Sequence, residues 1–196
     1  MSKENRGIRI SFNSPVILVF SIICLLVLGL GYLTGGVSDD LLFCVYRSSF
    51  TDPLTYFRFF GHVLGHANWE HFIGNITMIL VIGPLLEEKY GSADTLIVIL
   101  VTAFVTGVIH FIFFPGVALM GASGIVFAFI LLASMTSIED GKIPLTFILV
   151  AVIYIGGQIR DGIFINDNVS NLTHIVGGVV GSVLGIAMNK YKDSKY

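Results

Sequence analysis

Charge is scarce in this chain of 196 residues. Only 12% of positions are Asp, Glu, Lys or Arg, against 55% hydrophobic ones, where ordinary soluble domains carry about 25% charged residues. Mean hydropathy is +0.88. That balance excludes a soluble globular domain and points to a chain that crosses a membrane several times. Two cysteines are present, Cys24 within an apolar run and Cys44 in a connecting segment, which excludes a disulfide framework. With a net charge of -2 and no basic stripe, the chain has no footprint for nucleic acid. No H-E-x-x-H motif occurs. His62, His66 and His71 have no acidic residue at ligand spacing, so zinc is set aside and no metal is expected.

What the chain has in abundance is apolar length. A helix needs about 20 residues to cross roughly 30 Å of hydrocarbon. Six runs qualify as candidates: Pro15–Leu33, His71–Leu86, Thr95–Phe114, Gly116–Ser137, Ile143–Ile159 and Leu172–Lys190. The second is interrupted by Asn75 and Thr77. The first is too long for a signal-peptide core and lacks a small-residue cleavage site, so it reads as a retained helix. The expected architecture is an all-α membrane protein, a bundle of six transmembrane helices over residues 15–190, with short cytoplasmic tails at 1–14 and 191–196. Lys and Arg favour cytoplasmic loops. With both termini inside, Lys3, Arg6, Arg9, Lys89, Lys142, Lys190, Lys192 and Lys195 are cytoplasmic, against Arg47, Arg58 and Arg160 outside. The first connection, about Thr34 to Glu70, is long and rich in aromatic residues, which predicts a loop lying partly in the interface.

In this topology the second, fourth and sixth helices all run inward from the outer face. His71 and Asn75 open the second; Ser123 comes about two turns into the fourth, roughly 10 Å below Gly116; His174 sits in the first turn of the sixth. Four polar groups thus share one leaflet. Ionisable groups in a span are costly and mark function by default. His71 and Asn75, four apart, project from one face. Gly177, Gly181 and Gly185 form a strip of small residues that lets two membrane helices approach closely, and His174 lies near that strip. If the fourth helix is the neighbour, the imidazole comes within reach of the Ser123 hydroxyl.

Histidine can take the proton that makes a serine nucleophilic near neutral pH. The oxyanion formed on attack needs preorganised donors, and His71 and Asn75 are placed to supply them. Gly121 and Gly124 let a substrate backbone come close. Asp161 and Asp167 are expected in the loop before the last helix, away from this depth, so a Ser-His dyad is expected and not a triad. His110 has no nameable partner in the sequence. Arg58 reads as a brace for the long loop, and Glu87 as an inner-face carboxylate that ties helix ends.

The ordered motifs from about Phe57 to Gly181 resemble those of the rhomboid family of intramembrane serine proteases. Phe57-Arg58-Phe59-Phe60 resembles the family's Trp-Arg segment. His62, His66, His71 and Asn75 reproduce its H-x-x-x-H-x-x-x-x-H-x-x-x-N spacing, Glu87 to Gly91 its E-x-x-x-G, Gly121-Ala122-Ser123-Gly124 its G-x-S-G, and Thr173-His174 through Gly177 and Gly181 its A-H-x-x-G-x-x-x-G. Phe57, Thr173, Lys89 and Phe127 depart from the common Trp, Ala, Arg and Tyr. None of these changes removes a reacting group. Phe127 keeps a ring that can stack on His174.

The resemblance implies Ser123 as nucleophile, His174 as general base, and His71, Asn75 and the Ser123 amide as oxyanion donors. It implies transmembrane protein substrates cut near the outer end of their helix, with no cofactor. Water must reach the site from outside. Two other readings are a pseudoprotease that binds transmembrane clients without cleaving them, and a small transporter. The transporter would want midplane sites and an internal repeat, and neither is seen. Short tails and the absence of a presequence suit a bacterial plasma membrane.

Overall fold

The computed structural model describes residues 12–136, 142–164 and 168–193, with side chains across most of these segments. The described chain is all-helical. Its helices are α1 (Pro15–Thr34), α2 (Pro53–Gly61), α3 (Trp69–Tyr90), α4 (Ser92–Phe113), α5 (Ser123–Ser134), α6 (Leu145–Phe164) and α7 (Asn168–Asp193). One π-helical turn, Asp39–Phe43, lies between α1 and α2. Among the described residues, four segments are long and apolar enough to cross a membrane: α1, α3, α4 and Asn171–Asn189 within α7. Ser123–Ser134 and Leu145–Arg160 are shorter apolar helices. Large apolar side chains such as Leu33, Leu26 and Ile153 stand exposed on the outside, where a bilayer and not water is the natural neighbour.

The expectation of a helix from Gly116 is corrected. After α4 ends at Phe113, Pro115 and Gly116 interrupt the helical pattern. The chain then runs irregularly to Ala122, paired at Leu119 with Val45 through two backbone hydrogen bonds of 2.9 and 3.0 Å. Ser123 is therefore the first residue of α5 and not two turns into it. Gly121 is the reason this geometry is accessible. Its φ is +131°, a conformation that L side chains avoid, and its N–H donates to the His62 carbonyl at 2.8 Å. Two smaller differences follow. His174 lies in the second turn of α7, because that helix begins at Asn168. Asp161 belongs to α6, while Asp167 lies outside the described residues.

The long first connection is a packed substructure. Asp52 caps α2 by accepting from Leu54 N at 2.9 Å and also pairs with Arg58 at 3.1 Å. Arg58 is 3% exposed. Its Nε donates to the Leu41 carbonyl at 2.9 Å, and its guanidinium lies 4.7 Å from the Tyr46 ring centre, so it ties three parts of the loop together. Phe59 packs edge-on to Phe104 and Phe111 of α4. Arg47 donates to the carbonyls of Phe111 and Ile112 at the end of α4, both at 2.9 Å. His110, which has no visible partner in the sequence, accompanies them: its Nε2 is 2.8 Å from the Val117 carbonyl.

At the other end of the bundle, Glu87 accepts from Val16 N at 3.0 Å, Ile17 N at 3.1 Å and Ser92 Oγ at 2.7 Å. The first amides of a helix have no internal partner, and a carboxylate there also meets the positive end of the helix dipole. Glu87 thus ties the start of α1 to the junction of α3 and α4. Glu87→Ala is expected to cost about 2–4 kcal/mol, because two amides and a hydroxyl lose a charged acceptor. Thermal unfolding in detergent should show a lower Tm for this variant, with Glu87→Gln falling between it and the parent.

Candidate active site

The site forms where α5 begins, and α7 lies against it closely. A Cβ placed on Gly177 would overlap the Gly124 carbonyl oxygen, and one on Gly181 would overlap that of Ala128. The small-residue strip of α7 therefore meets the backbone of α5, one turn apart at each contact. This close approach sets the position of His174, three residues before Gly177. The imidazole lies parallel to the Phe127 ring, with centroids 4.0 Å apart and planes 9° apart. Phe127 is four residues after Ser123 and hence on the same face of α5. Ser123 and His174 thus both adjoin Phe127, the serine one turn before it on α5 and the imidazole stacked on it from α7. Among the described residues the Ser123 hydroxyl makes no hydrogen bond. Catalytic hydrogen bonds are often unformed until substrate binds.

On the opposite side, α3 presents His71 and Asn75 to Gly121. A Cβ on Gly121 would stand 2.6 Å from His71 Cε1, 2.7 Å from its Nε2 and 3.7 Å from Asn75 Nδ2. Asn68 fixes the start of α3 by accepting from His71 N at 2.8 Å. Asn75 is 8% exposed, and its Nδ2 is buried with no hydrogen-bond partner. An unspent buried donor is costly; here it faces the backbone just before Ser123. Because Ser123 and Gly124 open α5, their amides also lack the i−4 partners that later residues have. The first α5 amides bonded to that helix's own start are Ile125 and Val126, both donating to the Ala122 carbonyl.

The structure thus brings together Ser123, His174, His71, Asn75, Gly121, Gly124, Phe127 and Gly177. Arg58 and Glu87 lie apart from them, on α2 in the first connection and near the end of α3 against the start of α1. The three histidines of the first motif serve separate places. His62 sets its Nδ1 3.2 Å from the Arg58 carbonyl and its Nε2 3.3 Å from the Thr106 hydroxyl. His66 directs Nδ1 at the Leu64 carbonyl and meets His71 edge-on at 5.2 Å. Burial pushes both His62 and His66 down to about 4, so each sits uncharged in the packed loop at neutral pH.

Two residues escaped the sequence reading. Gln158 of α6 places its Oε1 2.8 Å from His174 Nδ1. Tyr154, four residues earlier on the same helix face, packs its ring 4.2 Å from that of Phe127. A lone glutamine in an apolar run was the available signal, since such a group seeks a partner in the bundle. Nothing in the sequence said which partner.

Residues 53–191 match the protein family described as Rhomboid domain. The chain belongs to the rhomboid family. It is 22% identical over 186 residues to Rhomboid protease GlpG of Haemophilus influenzae, covering 92% of this chain and 94% of that one. It is also 30% identical over 139 residues to Rhomboid-related protein 1 of Caenorhabditis elegans, and 31% identical over 153 residues to Rhomboid-related protein 2 of Mus musculus. Those alignments cover 65% and 68% of this chain but 38% and 51% of the two animal proteins. With its apolar helices, the rhomboid chain is a multi-pass membrane protein.

Proposed function

We propose that this rhomboid is an intramembrane serine endopeptidase that cleaves transmembrane proteins near the outer end of their spanning helix. Six helices cross the bilayer with both termini in the cytoplasm; the shorter α5 and α6 complete the bundle, and the aromatic first loop lies at the outer interface. A bacterial plasma membrane is the proposed location, supported by the nearly end-to-end alignment with the Haemophilus protein.

The observation that carries the reading is the placement of a serine at a helix start between two prepared groups: an imidazole stacked on Phe127, and an unpartnered Asn75 amide facing Gly121. His174 Nε2 takes the Ser123 hydroxyl proton as Oγ attacks the substrate carbonyl carbon. The resulting oxyanion accepts hydrogen bonds from Asn75 Nδ2, His71 and the Ser123 N–H, donors fixed in place before the charge develops. The imidazolium then passes its proton to the departing amine, the C–N bond breaks, and an acyl-enzyme remains on Ser123. Water entering from the outer face repeats the sequence in reverse, with its proton going first to His174.

A pseudoprotease that only binds helices is favoured by one observation, the unformed bond at the Ser123 hydroxyl. One assay separates the readings. Purified protein is expected to cleave a model transmembrane substrate in detergent, and Ser123→Ala to leave it intact. Equal cleavage by both, or by neither across several substrates, would sink the protease proposal.

A further inference from the structure

The geometry points to Gln158 as a positioning residue that selects the tautomer and orientation of His174. This rests on the protease reading above and extends it from two residues to three. In a neutral imidazole one nitrogen carries the proton and the other holds the lone pair. His174 Nδ1 lies 2.8 Å from Gln158 Oε1, and an amide oxygen can only accept. The proton therefore resides on Nδ1, leaving the Nε2 lone pair for Ser123. Phe127 holds the ring by its face at 4.0 Å and Gln158 holds it by its edge. Face stacking alone tolerates a half-turn about Cβ–Cγ, which would exchange the ring nitrogens with ring carbons; the Nδ1 bond selects one of the two orientations.

A neutral partner suits the setting. A carboxylate in this position would carry its own desolvation cost within the bundle, whereas an amide oxygen fixes the ring and still strengthens its bond as the imidazole gains charge. Phe127 of α5 lies on the face of the His174 ring and Gln158 of α6 at its Nδ1; Tyr154 of α6 packs on Phe127, His71 of α3 lies against Gly121, and Arg160, two residues beyond Gln158, is exposed. The reverse orientation of the amide, with its nitrogen donating to Nδ1, would put the proton on Nε2 and leave no base for Ser123. Gln158→Glu distinguishes the two, because a carboxylate accepts and never donates.

The test is steady-state cleavage of a model transmembrane substrate from pH 5 to 9 by the parent, Gln158→Leu, Gln158→Glu and Ser123→Ala. Gln158→Leu is expected to lower kcat roughly 10- to 100-fold, the worth of one hydrogen bond to a group that becomes charged, with KM little changed. Gln158→Glu is expected to stay active at alkaline pH and to move the acid limb of kcat/KM upward by about one pH unit or more, because a nearby anion favours the imidazolium. Unchanged kcat in Gln158→Leu, an unmoved acid limb in Gln158→Glu, or loss of activity at every pH in folded Gln158→Glu would each overturn the assignment. Thermal unfolding is measured in parallel; if Gln158→Leu does not fold, the acid limb of Gln158→Glu decides. Cleavage by Ser123→Ala at the parent rate would instead strike the protease reading itself.

Discussion

Replacing His174 with phenylalanine is expected to reduce turnover on the order of 10^5-fold, the scale on which loss of a general base acts in a serine enzyme, while leaving the fold intact. The fold is spared because a phenyl ring can keep the parallel stack on Phe127 that the imidazole makes at 4.0 Å. What disappears is the proposed acceptor for the Ser123 proton. A parallel readout of thermal unfolding and cleavage separates the two contributions: an unfolding midpoint near that of the parent together with background-level cleavage is the expected pair. A His174→Phe protein that cuts at a tenth of the parent rate would assign the base to another group.

The second large effect lies in a residue that touches no substrate. Gly177→Ala adds one methyl where a Cβ would overlap the Gly124 carbonyl oxygen, and a backbone atom cannot swing aside as a side chain can. The two helices must separate or slide. Overpacking of this kind costs about 1–3 kcal/mol, and a shift of roughly 1 Å between nucleophile and base can lower rate by about 100-fold. Both a lower unfolding midpoint and at least that loss of kcat are expected. Gly178→Ala is the control on the same helix, since its Cβ would meet only the Leu131 side chain, at an ordinary 3.6 Å. It should behave like the parent. Equal tolerance at 177 and 178 would show that the close approach does not set the site.

The contrast between these two glycines marks how far the sequence is legible. The four-residue spacing of Gly177, Gly181 and Gly185 announces a close helix contact, and the structure supplies its partner, the α5 backbone at Gly124 and Ala128. Spacing alone could not tell which helix would lie there. The start of α5 is not legible for a related reason. Residues 116–122 are apolar, so hydropathy extends the helix through them, yet Pro115, Gly116 and Gly121 break its backbone. Turn chemistry overrides apolar length at that point, and the consequence is favourable to the proposed chemistry: Ser123 gains a helix N-terminus with free amides.

Arg58 and Glu87 were legible as braces because a charge in an apolar chain must find acceptors or donors nearby. Besides the nearby side chains of Asp52 and Ser92, their partners are the Leu41 carbonyl and the first amides of α1, backbone groups that no residue pattern encodes. Gln158 was overlooked for the same cause. Its bond to His174 spans two helices and depends on the rotation of α6, which the apolar pattern of that helix does not specify.

A Ser123 nucleophile activated by His174 should be open to covalent trapping. Purified protein in detergent would be incubated with a serine-directed fluorophosphonate and digested, and the adduct located by mass spectrometry. A single adduct is expected on the peptide containing Ser123, absent in Ser123→Ala and strongly slowed in His174→Phe. A parent protein that stays unlabelled, or an adduct that persists at the same rate in Ser123→Ala, would contradict it.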